Sequence, residues 1–283
     1  MFKKAVTIAA LAASYALLNG CASMQSAAKY DSDHSRAYNL STAAGLEQGI
    51  RDYDKPKTGT GSLANSGEYG AAFTATGFYI PYSGLSGLAS GGLNLISWLV
   101  QPEDQYKHNN FFAWMPKGMA TSEEDSLLKM KKIIRAALKK TFKDMGVDYH
   151  KRYEDEDVYE YYIYSKKYNC PTMEHQLLKN MCIVGVRVYE PYIQKAPLFL
   201  KTSNKGKKSY KYSVARNNSY NNIGFKRGDM GKISEVEFFE ALSKNLPKWA
   251  FMYIAPNQFH LPSGKVVKAP YLLEHGKPLF YVI

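Results

Sequence analysis

The fold class of this chain is set by residues 121–146, which read TSEEDSLLKMKKIIRAALKKTFKDMG. Apolar residues recur at three- and four-residue spacing, which places them on one face of an α-helix. Thr121 and Glu124 occupy the N-cap and N3 positions of a capping box, and Gly146 is the expected C-terminal stop. The stretch therefore predicts one long amphipathic helix. Its opposite face is basic and contains Lys129, Lys132, Arg135, Lys139, Lys140 and Lys143.

Strand-like runs follow this helix. Residues 157–166 (DVYEYYIYSK) and 181–190 (MCIVGVRVYE) are rich in aromatic and β-branched residues, a composition typical of strands. We expect the two runs to pair as a long hairpin. Further strands are predicted at residues 249–255, 266–267 and 279–283.

The remaining elements complete an α+β pattern. Residues 234–245 (SEVEFFEALSKN) predict a second amphipathic helix with Ser234 as the N-cap and Glu237 at N3. Residues 201–228 contain eight Lys or Arg and five Asn without periodicity, so we expect an exposed basic loop. The order of elements favours an α+β domain over residues 121–283, with a mixed or antiparallel sheet and two main amphipathic helices.

An unusual segment lies within residues 67–120, before this domain. Residues 69–102 carry no charged side chain and include six glycines. If residues 82–100 form a helix, small residues recur at every fourth position, which lets helix backbones approach closely. Three interpretations are open: a buried glycine-rich hairpin, a segment that inserts into or lies on a membrane, and an interface in a homo-oligomer. The predicted contact residues are Ser83, Gly87, Gly91 and Trp98.

The amino terminus has the layout of a secretory signal. Residues 1–4 (MFKK) are positive, residues 5–18 are uncharged and mostly apolar, and Cys21 follows small or polar residues. The apolar core of about 14 residues is shorter than the roughly 20 residues of a permanent bilayer span. The alternative, a buried helix of a cytosolic domain, leaves the lysine pair and the Gly-Cys ending unexplained.

Residues Leu18-Asn19-Gly20-Cys21 resemble the cleavage box of bacterial lipoproteins that are processed by signal peptidase II. Leu18, Gly20 and Cys21 match the box, whereas Asn19 stands where Ala, Ser or Thr is usual. The resemblance implies that residues 1–20 are removed and that Cys21 becomes the first residue, acylated with chains such as palmitate that anchor it in a membrane. In Gram-negative members an Asp after the cysteine favours the inner membrane. Ala22 stands there instead, which implies the outer membrane, facing the periplasm.

The other cysteines and the adjoining residues fit an exported protein. Lipid on Cys21 leaves Cys170 and Cys182, and an even pair in an oxidising compartment is expected to form a disulfide. Residues 21–66 are predicted to be a flexible tether, with a short helix at residues 41–50.

No catalytic or metal motif stands out, so we expect no cofactor and no metal. The six histidines lack the spacing of a metal-binding pair, and neither a nucleophile elbow nor a phosphate-binding loop occurs. The acidic run 154–157 is either a solvated turn or an oxygen-ligand site for calcium. Glu174 and His175 form an acid–base pair without a third group. Many of the 23 tyrosines fall between residues 149 and 189, where they either bind sugars or a partner or serve as ordinary core and surface.

These features favour a non-enzymatic interaction or structural lipoprotein of the cell envelope, such as a component of a secretion, adhesion or assembly machine. We expect the membrane and another envelope protein as its partners. The formal charge of +12 suits anionic lipid or acidic glycans, and export argues against nucleic acid. Two alternatives are an envelope hydrolase acting on a glycan or lipid, with carboxylates near Glu154, and a binder of anionic lipid or polyanion using the basic helix face.

Overall fold

The structure is a computed structural model. It describes residues 26–46, 49–52, 108–154, 158–172, 181–216, 219–226, 231–260, 266–281 and 283. Over these residues the helices are α1 (Arg36–Ala44), α2 (Glu123–Met145) and α3 (Glu235–Asn245), with a 3₁₀ turn at Lys117–Met119. The strands are β1 (Asn110–Pro116), β2 (Asp148–Glu154), β3 (Val158–Tyr164), β4 (Cys182–Arg187), β5 (Tyr192–Lys195), β6 (Lys208–Tyr212), β7 (Ala215–Arg216), β8 (Ser219–Tyr220), β9 (Ile223–Lys226), β10 (Ala250–His260), β11 (Val266–Glu274) and β12 (Lys277–Phe280).

The strands form antiparallel sheets, so the predicted α+β class is confirmed. The larger sheet has the order β12-β11-β10-β1-β6-β5. The smaller sheet has the order β2-β3-β4-β9, and β7 and β8 form a separate pair. Every pairing between these strands is antiparallel, both where a short connection joins the strands, as at β11–β12, and where strands distant in sequence meet, as at β1–β10.

Strand β1 lies inside the larger sheet and is buried on both faces. Phe111, Ala113 and Met115 join the main core, which also includes α2, α3 and the inner face of the smaller sheet. Phe112 and Trp114 point to the opposite face and pack in a second cluster with α1. The sheet is therefore covered on both sides, an arrangement that gives β1 an uninterrupted apolar run rather than alternation.

The two predicted amphipathic helices are present. α3 begins as predicted, with the Ser234 hydroxyl accepting the Glu237 N–H. α2 ends as predicted at Gly146, whose φ of 65° is left-handed. Its predicted N-cap at Thr121 is wrong by one residue: Ser122 caps the helix and accepts the Asp125 N–H at 3.0 Å.

The predicted hairpin and the predicted carboxyl-terminal strands are present. β3 pairs with β4 from Val158–Arg187 to Ile163–Cys182. The strand predicted at residues 249–255 is the first part of β10, and the two closing strands are β11 and β12.

Two further expectations differ from the structure. The range 201–228 is not one exposed loop, because it contains β6 and β9, and Tyr210 and Tyr212 are fully buried. The short helix predicted at residues 41–50 is α1, which begins at Arg36 and ends before Gly45.

The folded unit also extends beyond residues 121–283. Ala37, Leu40 and Ala44 of α1 are fully buried against the larger sheet, so this part of the predicted tether is packed structure. β1, from the range 67–120, lies in the same sheet. These residues therefore contribute to the core of the domain that follows them.

Candidate interaction surfaces

Most of the predicted contact residues fall where the structure describes nothing. Cys21, the predicted lipid attachment site, lies outside the described residues. The four predicted residues of the glycine-rich segment, Ser83, Gly87, Gly91 and Trp98, also lie outside them. Glu174 and His175 do so as well.

The Cys170–Cys182 disulfide is present, as predicted. Its Cα atoms are 5.6 Å apart, and both cysteines are buried. Ser165 and Cys170 exchange two backbone hydrogen bonds, and Cys182 pairs with Ile163 at the start of β4. The bond therefore fastens the turn after β3 to the first residue of β4.

The tyrosines of the hairpin divide between the core and the surface. Tyr159 and Tyr161 point to the inner face of the smaller sheet and are buried. Tyr149 and Tyr153 lie on β2, at the end of the sheet order, with 40% and 37% of their surfaces exposed. The Tyr149 ring centroid is 4.9 Å from that of Phe142 on α2, which holds this ring in place. An exposed tyrosine fixed by packing offers contact area at a small entropic cost.

Glu154, the described member of the acidic run, is engaged in ion pairs. Its carboxylate contacts Arg135 of α2 and Lys151 of β2, the latter at 2.8 Å. The hydrogen bond from Lys151, assisted by the charge of Arg135, lowers the pKa of Glu154. Arg135 also lies over the Tyr159 ring, 5.1 Å from its centroid. These contacts tie α2 to the smaller sheet. Residues 155–157 lie outside the described part of the chain.

Glu160 is a buried carboxylate that the sequence analysis did not identify. It lies in the middle of β3 with its side chain 1% exposed, and Arg152 donates to Oε2 at 2.6 Å. Burial raises the pKa of Glu160, and the Arg152 charge opposes this shift. A charged residue flanked by Tyr159 and Tyr161 in a strand was the available signal. A buried ion pair of this kind is weak evidence of stability, because the cost of desolvating the two charges offsets their attraction.

The predicted basic face of α2 is largely exposed. Lys129 pairs with Asp125 at 2.8 Å and Lys140 with Asp144 at 2.6 Å, both at helical i,i+4 spacing. Lys132, Lys139 and Lys143 are exposed. Exposed i,i+4 pairs of this kind are typical of the solvated side of a core helix.

The described residues contain no group of three or more His, Cys, Asp or Glu arranged to hold a metal ion. They also contain no helix that is long and apolar enough to span a bilayer.

Comparison with known proteins adds no assignment to these surfaces. No protein-family model, curated protein or solved structure matches the chain.

Proposed function

We propose that this chain is a lipid-anchored lipoprotein of the cell envelope that acts as a non-enzymatic interaction or structural component. The observation that carries the proposal is the Leu18-Asn19-Gly20-Cys21 box at the end of a secretory signal. Acyl chains on Cys21 would hold the protein at the outer membrane, because each buried methylene contributes about 0.8 kcal/mol. The anchor supplies the location, and the folded domain supplies the contacts.

The disulfide supports an oxidising compartment. Bonds such as Cys170–Cys182 persist in the periplasm and are rare in the cytosol.

The partner surface that we favour is the β2 edge, with Tyr149 and Tyr153 as its anchors. β2 ends the sheet order, so its outer edge has no neighbour among the described strands. Strand edges offer backbone donors and acceptors to a second protein, and exposed tyrosines add contact area beside them. A component of a secretion, adhesion or assembly machine needs such a surface. The glycine-rich segment with Gly87 and Gly91 is the second proposed contact.

The lipid anchor is tested by Cys21→Ser in the bacterium that makes the protein. We expect the unsubstituted chain to yield an acylated amino-terminal peptide that begins at Cys21, and the variant to remain unprocessed. Mass spectrometry of this peptide and membrane fractionation measure both outcomes. Ala22→Asp is the sorting control and should move the processed protein to the inner membrane. Unchanged processing and membrane association in Cys21→Ser would contradict the anchor.

The partner surface is tested by a photo-crosslinking residue at position 153, with position 128 as the matched control. Tyr153 lies on the β2 edge, whereas Leu128 is an exposed residue of α2. We expect one discrete crosslinked product in intact cells from position 153 and none of that mass from position 128. The same product from both positions, or none from either, argues against a β2-edge partner.

A further inference from the structure

A strongly basic loop lies at the edge of the larger sheet. Residues 191–211 contain six lysines and no acidic residue. They form β5, β6 and the connection between them, and β5 is the last strand in the sheet order. We call residues 195–208 the basic loop. Its exposed lysines are Lys201, Lys205, Lys207 and Lys208.

The basic loop is held in a defined shape by its own hydrogen bonds. Ala196 N–H donates to Lys207 O, and Gly206 N–H donates to Ala196 O, both at 2.9 Å. Buried Asn204 donates through Nδ2 to Trp114 O of β1 at 2.7 Å, which fixes the loop to the sheet. Gly206 has a φ of +70°, and a Cβ there would lie 2.8 Å from Leu198. The lysines of the basic loop therefore project from a backbone of fixed conformation.

Apolar side chains are exposed beside these lysines. Leu198 is 50% exposed and Ile193 is 43% exposed. Tyr30, 47% exposed, packs against Phe199 with ring centroids 5.6 Å apart. Apolar groups among lysines are the combination that an anionic bilayer surface binds, because headgroups attract the charges and the interface accepts the apolar groups.

The basic loop is also next to the chain segment that leads to Cys21. Leu198 N–H donates to Ala28 O at 3.0 Å. A fully extended chain spans at most about 3.6 Å per residue, so Ala28 lies within about 25 Å of Cys21. Asp31 and Asp33 are exposed just beyond this contact, but the lysines of the loop and Lys29 outnumber them. The loop is therefore confined near any membrane that holds Cys21.

We propose that the basic loop and its exposed Leu198 dock on anionic lipid headgroups of the membrane to which the chain is anchored. This inference rests on the proposed lipid anchor. Docking gives the domain one orientation, with the basic loop toward the bilayer and the β2 edge available for a partner.

Lysine footprinting on the full acylated protein tests the orientation. The protein is reconstituted in vesicles of phosphatidylcholine alone, or with added phosphatidylglycerol, and its lysines are acetylated and quantified by mass spectrometry. We expect labelling of Lys201, Lys205 and Lys207 to slow about fivefold with phosphatidylglycerol, the factor for ~1 kcal/mol per lysine. High salt should restore the rate of lysine labelling. Lys132, Lys139 and Lys143 of α2 are the internal control and should not change. Equal protection of both sets, or of neither, overturns the proposal.

A second measurement reports on the apolar part of the contact. Leu198→Cys and Leu128→Cys place an environment-sensitive thiol dye at two leucines of similar exposure, 50% and 54%. We expect dye emission to increase with phosphatidylglycerol vesicles at position 198 alone, and an equal response at both positions contradicts docking through the loop.

The amino-terminal peptide separates the two proposals. Cys21 without acyl chains contradicts the proposed anchor. The same protein is then added to preformed vesicles, where selective protection of the loop lysines supports docking on its own. Failure to bind phosphatidylglycerol vesicles overturns docking as well.

Discussion

Glu160 is the residue whose chemistry departs furthest from its surroundings. Its carboxylate is buried in β3, with Arg152 as the ion-pair partner and Tyr162 near the Arg152 guanidinium. Desolvation outweighs the attraction of Arg152, so the pKa of Glu160 rises above its ordinary value of 4.5. The ionised form of the Glu160 side chain is therefore disfavoured in the folded chain relative to the unfolded chain.

The sign of this shift gives a test with Glu160→Gln. The stability that Glu160 contributes to the folded chain is fully present below its ordinary pKa of 4.5. This stability is lost as the pH rises through the raised pKa of Glu160 in the folded chain. The free energy of unfolding of Glu160→Gln, relative to the unsubstituted chain, should therefore increase from about pH 4 to about pH 7, by roughly 1.4 kcal/mol for each unit by which the pKa is raised. Denaturant titrations at both pH values measure the difference.

Glu154→Gln is the matched control in the same hairpin. The lowered pKa of Glu154 means that its contribution is present at neutral pH and is lost as the pH falls below 4.5. The relative stability of Glu154→Gln should therefore decrease as the pH rises, opposite to Glu160→Gln. Parallel trends in the two variants would show that burial does not dominate at Glu160.

At the scale of elements, the sequence predicted the helices and strands that have one solvent-exposed polar face or a long apolar run. α2 and α3 have polar faces and recognisable ends at Gly146 and Ser234, so periodicity and capping chemistry identified them. β3, β4 and β10 are dense in aromatic and β-branched residues. The N-cap of α2 was predicted one residue too early because Thr121 and Ser122 are neighbours and both residue types can cap a helix.

The elements that were missed have physical reasons. β1 is a run of only five apolar residues without a β-branched residue, and periodicity alone does not assign so short a run to a helix or a strand. β6 contains Lys208 and Lys211 among its five residues, and these lysines made it resemble a polar loop although Tyr210 and Tyr212 are buried. The start of α1 was missed because its buried side carries Asn39 and Ser41, which form hydrogen bonds that a hydrophobic pattern does not register. The surface sites could not be predicted without these elements, because β5 and β6 hold the basic loop in place.

The Cys170–Cys182 disulfide fastens the turn after β3 to the first residue of β4. Cys170→Ser/Cys182→Ser should lower the free energy of unfolding by about 3 kcal/mol, because the bond restricts the unfolded chain around a loop of this size. The melting temperature should fall by roughly 6–12 °C, from the usual 2–4 °C per kcal/mol for chains of this class. Thermal unfolding of protein from an oxidising compartment provides the measurement. Reductant should lower the unsubstituted protein to the same value and leave the double variant unchanged. An effect of reductant on the double variant would show that the loss has another cause.

At the scale of the whole molecule, α1 near the amino terminus belongs to the folded domain. Arg36 of α1 donates to both carboxylate oxygens of Glu274 at the end of β11, and to Phe199 O in the basic loop. Ser41 and Tyr281 share a buried hydrogen bond of 2.6 Å, which joins α1 to the carboxyl-terminal end. The segment that leads to Cys21 therefore leaves from a fixed place on the fold, and under the proposed anchor this place would limit how the domain faces a membrane.

Leu40→Ala tests whether α1 is part of the cooperative fold. Leu40 is fully buried in the cluster that covers the second face of the larger sheet, so the cavity should cost about 2–5 kcal/mol. Thr42→Ala, at an exposed position of the same helix, should change stability by less than about 0.5 kcal/mol. Denaturant unfolding followed by tryptophan fluorescence reports on both sides of the sheet, because Trp114 lies in this cluster and Trp249 lies in the main core. One transition that shifts in Leu40→Ala indicates that α1 unfolds with the sheet. Equal midpoints in the two variants would mean that α1 contributes little, and the fixed exit of the amino-terminal segment would then lose its support.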